Sequence, residues 1–152
     1  MAEAEPPELD FRADKDIAKA FQLIGEFIFW FSQVEFTIRF RLKKVLQLPE
    51  AISDPVTASY DFSVLCTVAT KVLSNKYPTK EKAFTDLFNR CLTLNTDRVR
   101  IAHGLWTVNN TGPIARHVAR GTLKASLHFT DPGALEKLTD TAKQLMSEII
   151  EV

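Results

Sequence analysis

The chain has 152 residues, 45% of them hydrophobic, with 19 basic and 19 acidic side chains and no formal net charge. That length suits one domain with a real core, and the apolar fraction is ordinary for a globular protein. No uncharged apolar run of about eighteen residues occurs, so no membrane span is expected, and two cysteines are too few for a disulfide framework or a zinc site.

The charge is unevenly placed. The first ten residues hold four acids and no base, which leaves 19 bases against 15 acids in the rest. An acidic, proline-containing start is the opposite of a secretory signal. A cytoplasmic protein is expected, with residues 1–12 a disordered tail and 13–152 a single helical domain. From Arg98 through Thr130 there is no Asp or Glu, yet Arg98, Arg100, Arg116, Arg120, Lys124 and all three histidines fall there. Such a field suits an anionic partner; the alternative is a solvated basic hairpin.

The first helix is predicted from about Asp14 to Gln47, closed by Leu48-Pro49, with Lys43 and Lys44 favouring its negative end. Ile17, Phe21, Ile24, Phe27, Phe31, Val34, Ile38, Leu42 and Val45 recur at three- and four-residue spacing and define one core stripe. Phe29, Trp30, Phe36 and Phe40 widen the apolar surface beyond that stripe. A helix apolar nearly all round is buried on both sides. A homodimer through this helix is therefore expected, the alternative being a helix wrapped by its own chain. Glu35 lies on the core stripe between Phe31 and Ile38 and needs a cationic partner.

Residues 49–57, with Pro49 and Pro55, read as a connection. A second helix is predicted over Ala58 to Ser74, with Cys66 a small buried hydrophobe. A turn over Asn75 to Pro78 and Thr79 as N-cap introduce a third helix, about Lys80 to His103. Phe84, Leu87, Phe88, Cys91, Leu94 and Ala102 share one face of it, and Asn95 and Arg98 fall within that face. A buried Glu35–Arg98 pair is the simplest way to satisfy both charges, and that role needs no catalysis.

His103 lies about 140° round from Arg98 on an ideal helix. It ends that helix just before Gly104, where the dipole favours the imidazolium. A histidine poised near neutrality suits acid–base chemistry on a ribose hydroxyl, while a histidine there is also a common C-cap.

Residues 105–129 read as a β-hairpin or three-stranded excursion. Leu123, Ala125, Leu127 and Phe129 alternate with Lys124, Ser126, His128 and Thr130, which predicts a strand with an apolar and a polar face. Asp131 as N-cap and Pro132 at the first position begin the last helix, whose apolar face runs from Leu135 to Ile150. Phosphate-binding glycine loops and the HExxH and GxSxG motifs are absent. With no carboxylate near His103, His117 and His128, neither metal nor cofactor is expected.

The string Arg98-Val-Arg-Ile-Ala-His103-Gly104 follows a long helix carrying Gly25 and Trp30-Phe-Ser-Gln-Val-Glu35. Together they resemble the HEPN superfamily, whose signature is an arginine followed after four to six residues by a histidine near the end of the third helix. The glutamate in the first helix and a small β insertion before the last are similar to its bacterial members. The resemblance covers the chain from about residue 15 onward.

It implies an all-α, four-helix up-and-down bundle with a small β-hairpin insertion before the last helix. It also implies a metal-independent endoribonuclease, often a toxin or antiviral element, acting as a dimer with the site at the interface. His103 would then be the acid/base and Arg98 the phosphate-binding group. Arg100, Asn95, Arg116, Arg120 and Lys124 are the candidate binding residues for RNA, and an antitoxin or other protein is a candidate partner. Many active members have a polar residue directly after the arginine. Here it is Val99, which argues against full activity. The alternative is a non-catalytic dimerisation, nucleic-acid- or protein-binding module with Arg98 structural.

Overall fold

The computed structural model describes residues 15–109, 112–118 and 121–152. The predicted acidic tail, residues 1–12, lies outside them. The described residues are mostly helical, with five α-helices and one three-stranded antiparallel sheet inserted before the last helix. Among the described residues no helix is long and apolar enough to cross a membrane.

Helix α1, Lys15–Leu46, buries Ala20, Leu23, Phe27, Phe31, Val34, Ile38 and Leu42, the predicted stripe in its central part. Full burial of a side chain such as Phe27 contributes about 1.5–3 kcal/mol. The helix stops at Gln47, whose φ of 53° reverses the chain. The Leu48 amide then donates to the Lys43 carbonyl and that of Gln47 to Lys44, which satisfies two of the helix's last carbonyls.

The predicted connection over 49–57 is instead a second helix, α2, Glu50–Ala58. Proline is compatible with a helix start, because the amide it lacks has no partner there. Pro49 accordingly serves as the N-cap, and the short helix tolerates Pro55 within it. Helix α3, Phe62–Lys76, begins four residues later than predicted because the Asp61 carboxylate caps it, accepting from the Val64 amide at 2.8 Å.

Thr79 is not the cap of the next helix. It sits inside a 3-10 turn, Pro78–Lys80, that feeds directly into α4, Glu81–His103. On α4 the buried residue of the last turn is Ile101, while the predicted Ala102 is exposed.

Strands β1, Leu105–Asn109, β2, Gly112–Val118, and β3, Ala125–His128, form a meander. Trp106 pairs with Ala115 and Ala115 with His128, so these three share one face of the sheet. The indole of Trp106 donates to the Ile101 carbonyl at 3.1 Å and stacks on Phe129, tying the sheet to the end of α4.

Helix α5, Ala134–Glu151, starts after Gly133, which adopts φ 74°. Asp131 and Pro132 therefore precede the helix and do not cap it; the Asp131 carbonyl accepts from the Ala134 amide at 3.2 Å. Helix α1 packs mainly on α5 and α3, and α4 on α3 and α5. One core joins them, built around Phe27, Phe31, Phe84, Phe88 and Leu145.

Candidate functional site

Helix α4 is regular to its last residue, so Arg98 and His103 leave it on different faces, about 140° apart. Arg98 is half-buried and faces α1, its guanidinium 5.6 Å from the centre of the Phe31 ring. The predicted Glu35–Arg98 pair is not formed. Glu35 accepts instead from Arg39, one turn on along α1, at 2.7 Å. Arg39 also donates to the carbonyls of Thr57 and of Tyr60, the latter at 3.1 Å, and so binds the end of α2. A partner four residues away on the same helix reaches Glu35 without any rearrangement of α4, and it is within the solvent-accessible rim.

His103 is exposed at the C-terminus of α4. Gly104 follows in extended conformation and donates to the Arg100 carbonyl at 2.8 Å. A Cβ on Gly104 would lie 2.5 Å from that carbonyl oxygen and 3.0 Å from Ala115 Cβ. The glycine is therefore required first by the Arg100 carbonyl of the helix's own last turn and second by the close approach of β2, with no unusual φ involved.

Beside this helix end, α4 and the inner face of the sheet border an open cleft of about 430 Å³. Asn95, Thr96, Val99 and Arg100 form one wall; His117, Ser126 and His128 form the other. The Ser126 hydroxyl and His128 Nε2 are 2.8 Å apart, and the His117 and His128 rings lie edge to face at 6.4 Å. Arg100 is steadied by Asp97 at 3.0 Å.

Burial holds the His128 imidazole below its ordinary pKa, helped by the positive charges of Arg100 and His117 and opposed by Asp97. His103 belongs to the same side of α4 as this wall, since it follows Thr96, Val99 and Arg100 by seven, four and three residues.

The cleft brings together Asn95 and Arg100, both expected as binding residues, with His117, Ser126 and His128, which the sequence pattern did not single out. Leu127 and Ala125 belong to the apolar face expected of the last strand. Both are exposed and so is Ser126; within β3 only His128 is half-buried, on the side that lines the cleft. Across the cleft this face looks onto the polar outer side of α4, which supplies Asn95, Thr96 and Arg100. The signal in the sequence was Ser126-Leu127-His128, two polar residues of the cleft side that pair with His117 and Ala115.

The remaining basic candidates are dispersed. Arg116 projects from the opposite face of the sheet, in a cross-strand row with exposed Leu105 and Leu127. Lys124 is exposed just before β3, and Arg120 lies outside the described residues. Among the described residues no three His, Cys, Asp or Glu side chains are grouped to hold a metal ion. Cys66 and Cys91 are buried, and a hydrogen bond between them together with burial pushes the Cys66 thiol up, away from the reactive thiolate.

On the far side of α1 an aromatic row is open to solvent. Phe21, Phe29, Phe36 and Phe40 are 66%, 55%, 64% and 45% exposed, and Phe36 stacks on Phe40 at 6.3 Å. Rows of this kind on a soluble surface mark interaction sites. No family profile, curated protein or solved structure matches the chain.

Proposed function

We propose that the protein is a HEPN-type, metal-independent endoribonuclease, with α1, α3, α4 and α5 as the four helices of an up-and-down bundle and the sheet as its insertion. The observation that carries this reading is the open imidazole of His103 at the end of α4, on the side of the helix that carries the cleft. In this reading His103 removes the proton of a ribose 2′-hydroxyl, and the oxygen attacks the adjacent phosphorus. The 5′-oxygen leaves and takes a proton from the His103 imidazolium, which restores the imidazole and gives a cyclic 2′,3′-phosphate and a 5′-hydroxyl end.

Arg98 stabilises the charge that develops on phosphorus. Because Arg98 and His103 of one chain diverge, this reading has the pair completed between two chains of a homodimer. The exposed aromatic row of α1 supports self-association and lies on the side of α1 away from Arg98. The biological setting of the resemblance is a toxin or antiviral element with a protein partner such as an antitoxin.

The test is cleavage of single-stranded RNA by the purified protein in excess EDTA. Cleavage is expected, and His103→Ala is expected to abolish it with the fold intact. Equal activity in that variant and the wild type would falsify the role of His103.

A second reading is favoured by Val99, which is exposed on the cleft wall where active members of the superfamily carry a polar residue. It is a non-catalytic RNA- or protein-binding module. Binding of RNA without cleavage in EDTA is its signature.

A further inference from the structure

We propose that the cleft between α4 and the inner face of the sheet is a binding site for a phosphate group, either a phosphodiester of an RNA strand or free inorganic phosphate. Its ligands are Arg100, His117 and His128, with Ser126 and Asn95 as neutral hydrogen-bonding groups. Four features point to this chemistry.

The first is room. At about 430 Å³ the cleft, which is open to solvent, falls in the range of small-ligand sites. The second is convergence. The two imidazoles come from adjacent strands and meet across 6.4 Å, opposite the guanidinium supplied by the helix. All three can donate to an oxyanion, and a planar guanidinium suits phosphate in particular.

The third feature is charge balance. The ionisable groups that face His128 are Asp97 and Arg100 from α4 and His117 from β2. Asp97 is committed to one Nη of Arg100, which fixes the guanidinium while its other N–H groups have no hydrogen-bond acceptor among the described residues. Protonation of His128 is opposed by burial and by the neighbouring Arg100 and His117. A bound anion reverses that opposition, so binding takes up protons and tightens as pH falls.

The fourth is position. Arg100 precedes His103 by three residues, about 4.5 Å along the helix axis. A strand whose phosphate sits in the cleft thus passes beside the proposed acid/base. The RNA source rests on the functional reading above; the phosphate site does not.

The experiment follows the imidazole resonances of His117 and His128 by nuclear magnetic resonance in the full-length protein. Inorganic phosphate and a short, uncleavable 2′-O-methyl oligoribonucleotide are titrated separately, at about pH 6 and about pH 8. Both resonances are expected to shift with saturation. For the oligoribonucleotide, whose phosphodiesters keep one charge each across this range, binding should be tighter at the lower pH, and this pH dependence should vanish in the His117→Gln/His128→Gln double variant. Inorganic phosphate itself changes charge in this range, so its binding is compared between proteins at one pH. Arg100→Gln is expected to weaken binding about tenfold, as for loss of a charge-assisted hydrogen bond. Lys82→Gln, on an exposed residue at the other end of α4, should not change it.

Response to inorganic phosphate alone supports the site and assigns it to free phosphate. Response to the oligonucleotide supports the RNA source. The proposal is overturned if neither ligand moves either imidazole, or if Arg100→Gln and the double variant bind as the wild type does while circular dichroism shows them folded. RNA cleavage by wild type with unaltered binding in the cleft variants would remove the site and leave the ribonuclease reading. Cleft binding without cleavage in EDTA would do the reverse.

Discussion

Glu35 accepts its hydrogen bond from Arg39 at 2.7 Å, four residues on along α1, and this leaves Arg98 free to lie against Phe31. The two arginines therefore carry different weights. Arg39 joins a carboxylate to two carbonyls at the end of α2, whereas Arg98 contributes ring contact and charge.

Arg39→Ala is expected to destabilise the fold by about 1–3 kcal/mol, because it removes charge-assisted bonds to Glu35 and to the α2 carbonyls. Arg98→Ala should cost about 1 kcal/mol or less, the range of a cation–π contact. Urea denaturation of both variants measures the difference. A double-mutant cycle between Glu35 and Arg98 should show coupling near zero; a coupling as large as that between Glu35 and Arg39 would contradict the assignment.

Gly104 and Gly25 make a contrasting pair. Gly104→Ala forces a Cβ against the Arg100 carbonyl and Ala115, and should cost about 1–3 kcal/mol as the sheet moves off the helix end. Gly25 lies inside α1 with nothing within 4 Å of its Cβ position, so Gly25→Ala should stabilise an isolated chain by about 0.5–1 kcal/mol. Thermal melts of the two variants should shift in opposite directions.

The open aromatic row of α1 gives a sharp expectation for assembly. Phe36→Glu leaves the core untouched, since that ring is 64% exposed, and should convert a dimer to a monomer in sedimentation with little change in helical content. A wild-type protein that sediments as a monomer at micromolar concentration would remove α1 as the dimer surface.

Acid should weaken the fold in two separable windows. His128 titrates below its ordinary value of 6.5 in the folded chain, so the unfolded chain binds more protons there. Its contribution is complete above about 6.5 and is lost as pH falls through the lowered folded value. Glu148 titrates below 4.5 chiefly because Arg90 donates to it, so its contribution is complete above that value and is lost as pH falls further. Melting temperature against pH should lose the first step in His128→Gln and the second in Arg90→Ala. Both steps should be small, because these side chains are partly solvated.

The helices were largely legible because their information is local. Phe27, Phe31, Val34, Ile38 and Leu42 recur at helical spacing whatever packs against them, and so do Phe84, Leu87, Phe88, Cys91 and Leu94. Gly104 marked the end of α4, and the alternation after Leu123 marked a strand. The bounds of α2, α3 and α5 were less legible, because prolines at 49 and 132 are equally compatible with a turn and with a helix start.

Sequence alone therefore determined that long amphipathic helices surround a short β segment, since periodicity is a property of each segment by itself. Only the tertiary structure decided which side of each segment faces what. It set Arg98 on Phe31 instead of Glu35, and it placed Ser126 and His128 on the cleft side of the sheet with Leu127 on the other. The physical reason is that a strand's inner face is chosen by its neighbour. Here the neighbour is the polar flank of α4, which presents Arg100, Thr96 and Asn95 to it. The cleft exists because two polar surfaces, each unremarkable in the sequence, are brought together by the close contact of Gly104 with Ala115.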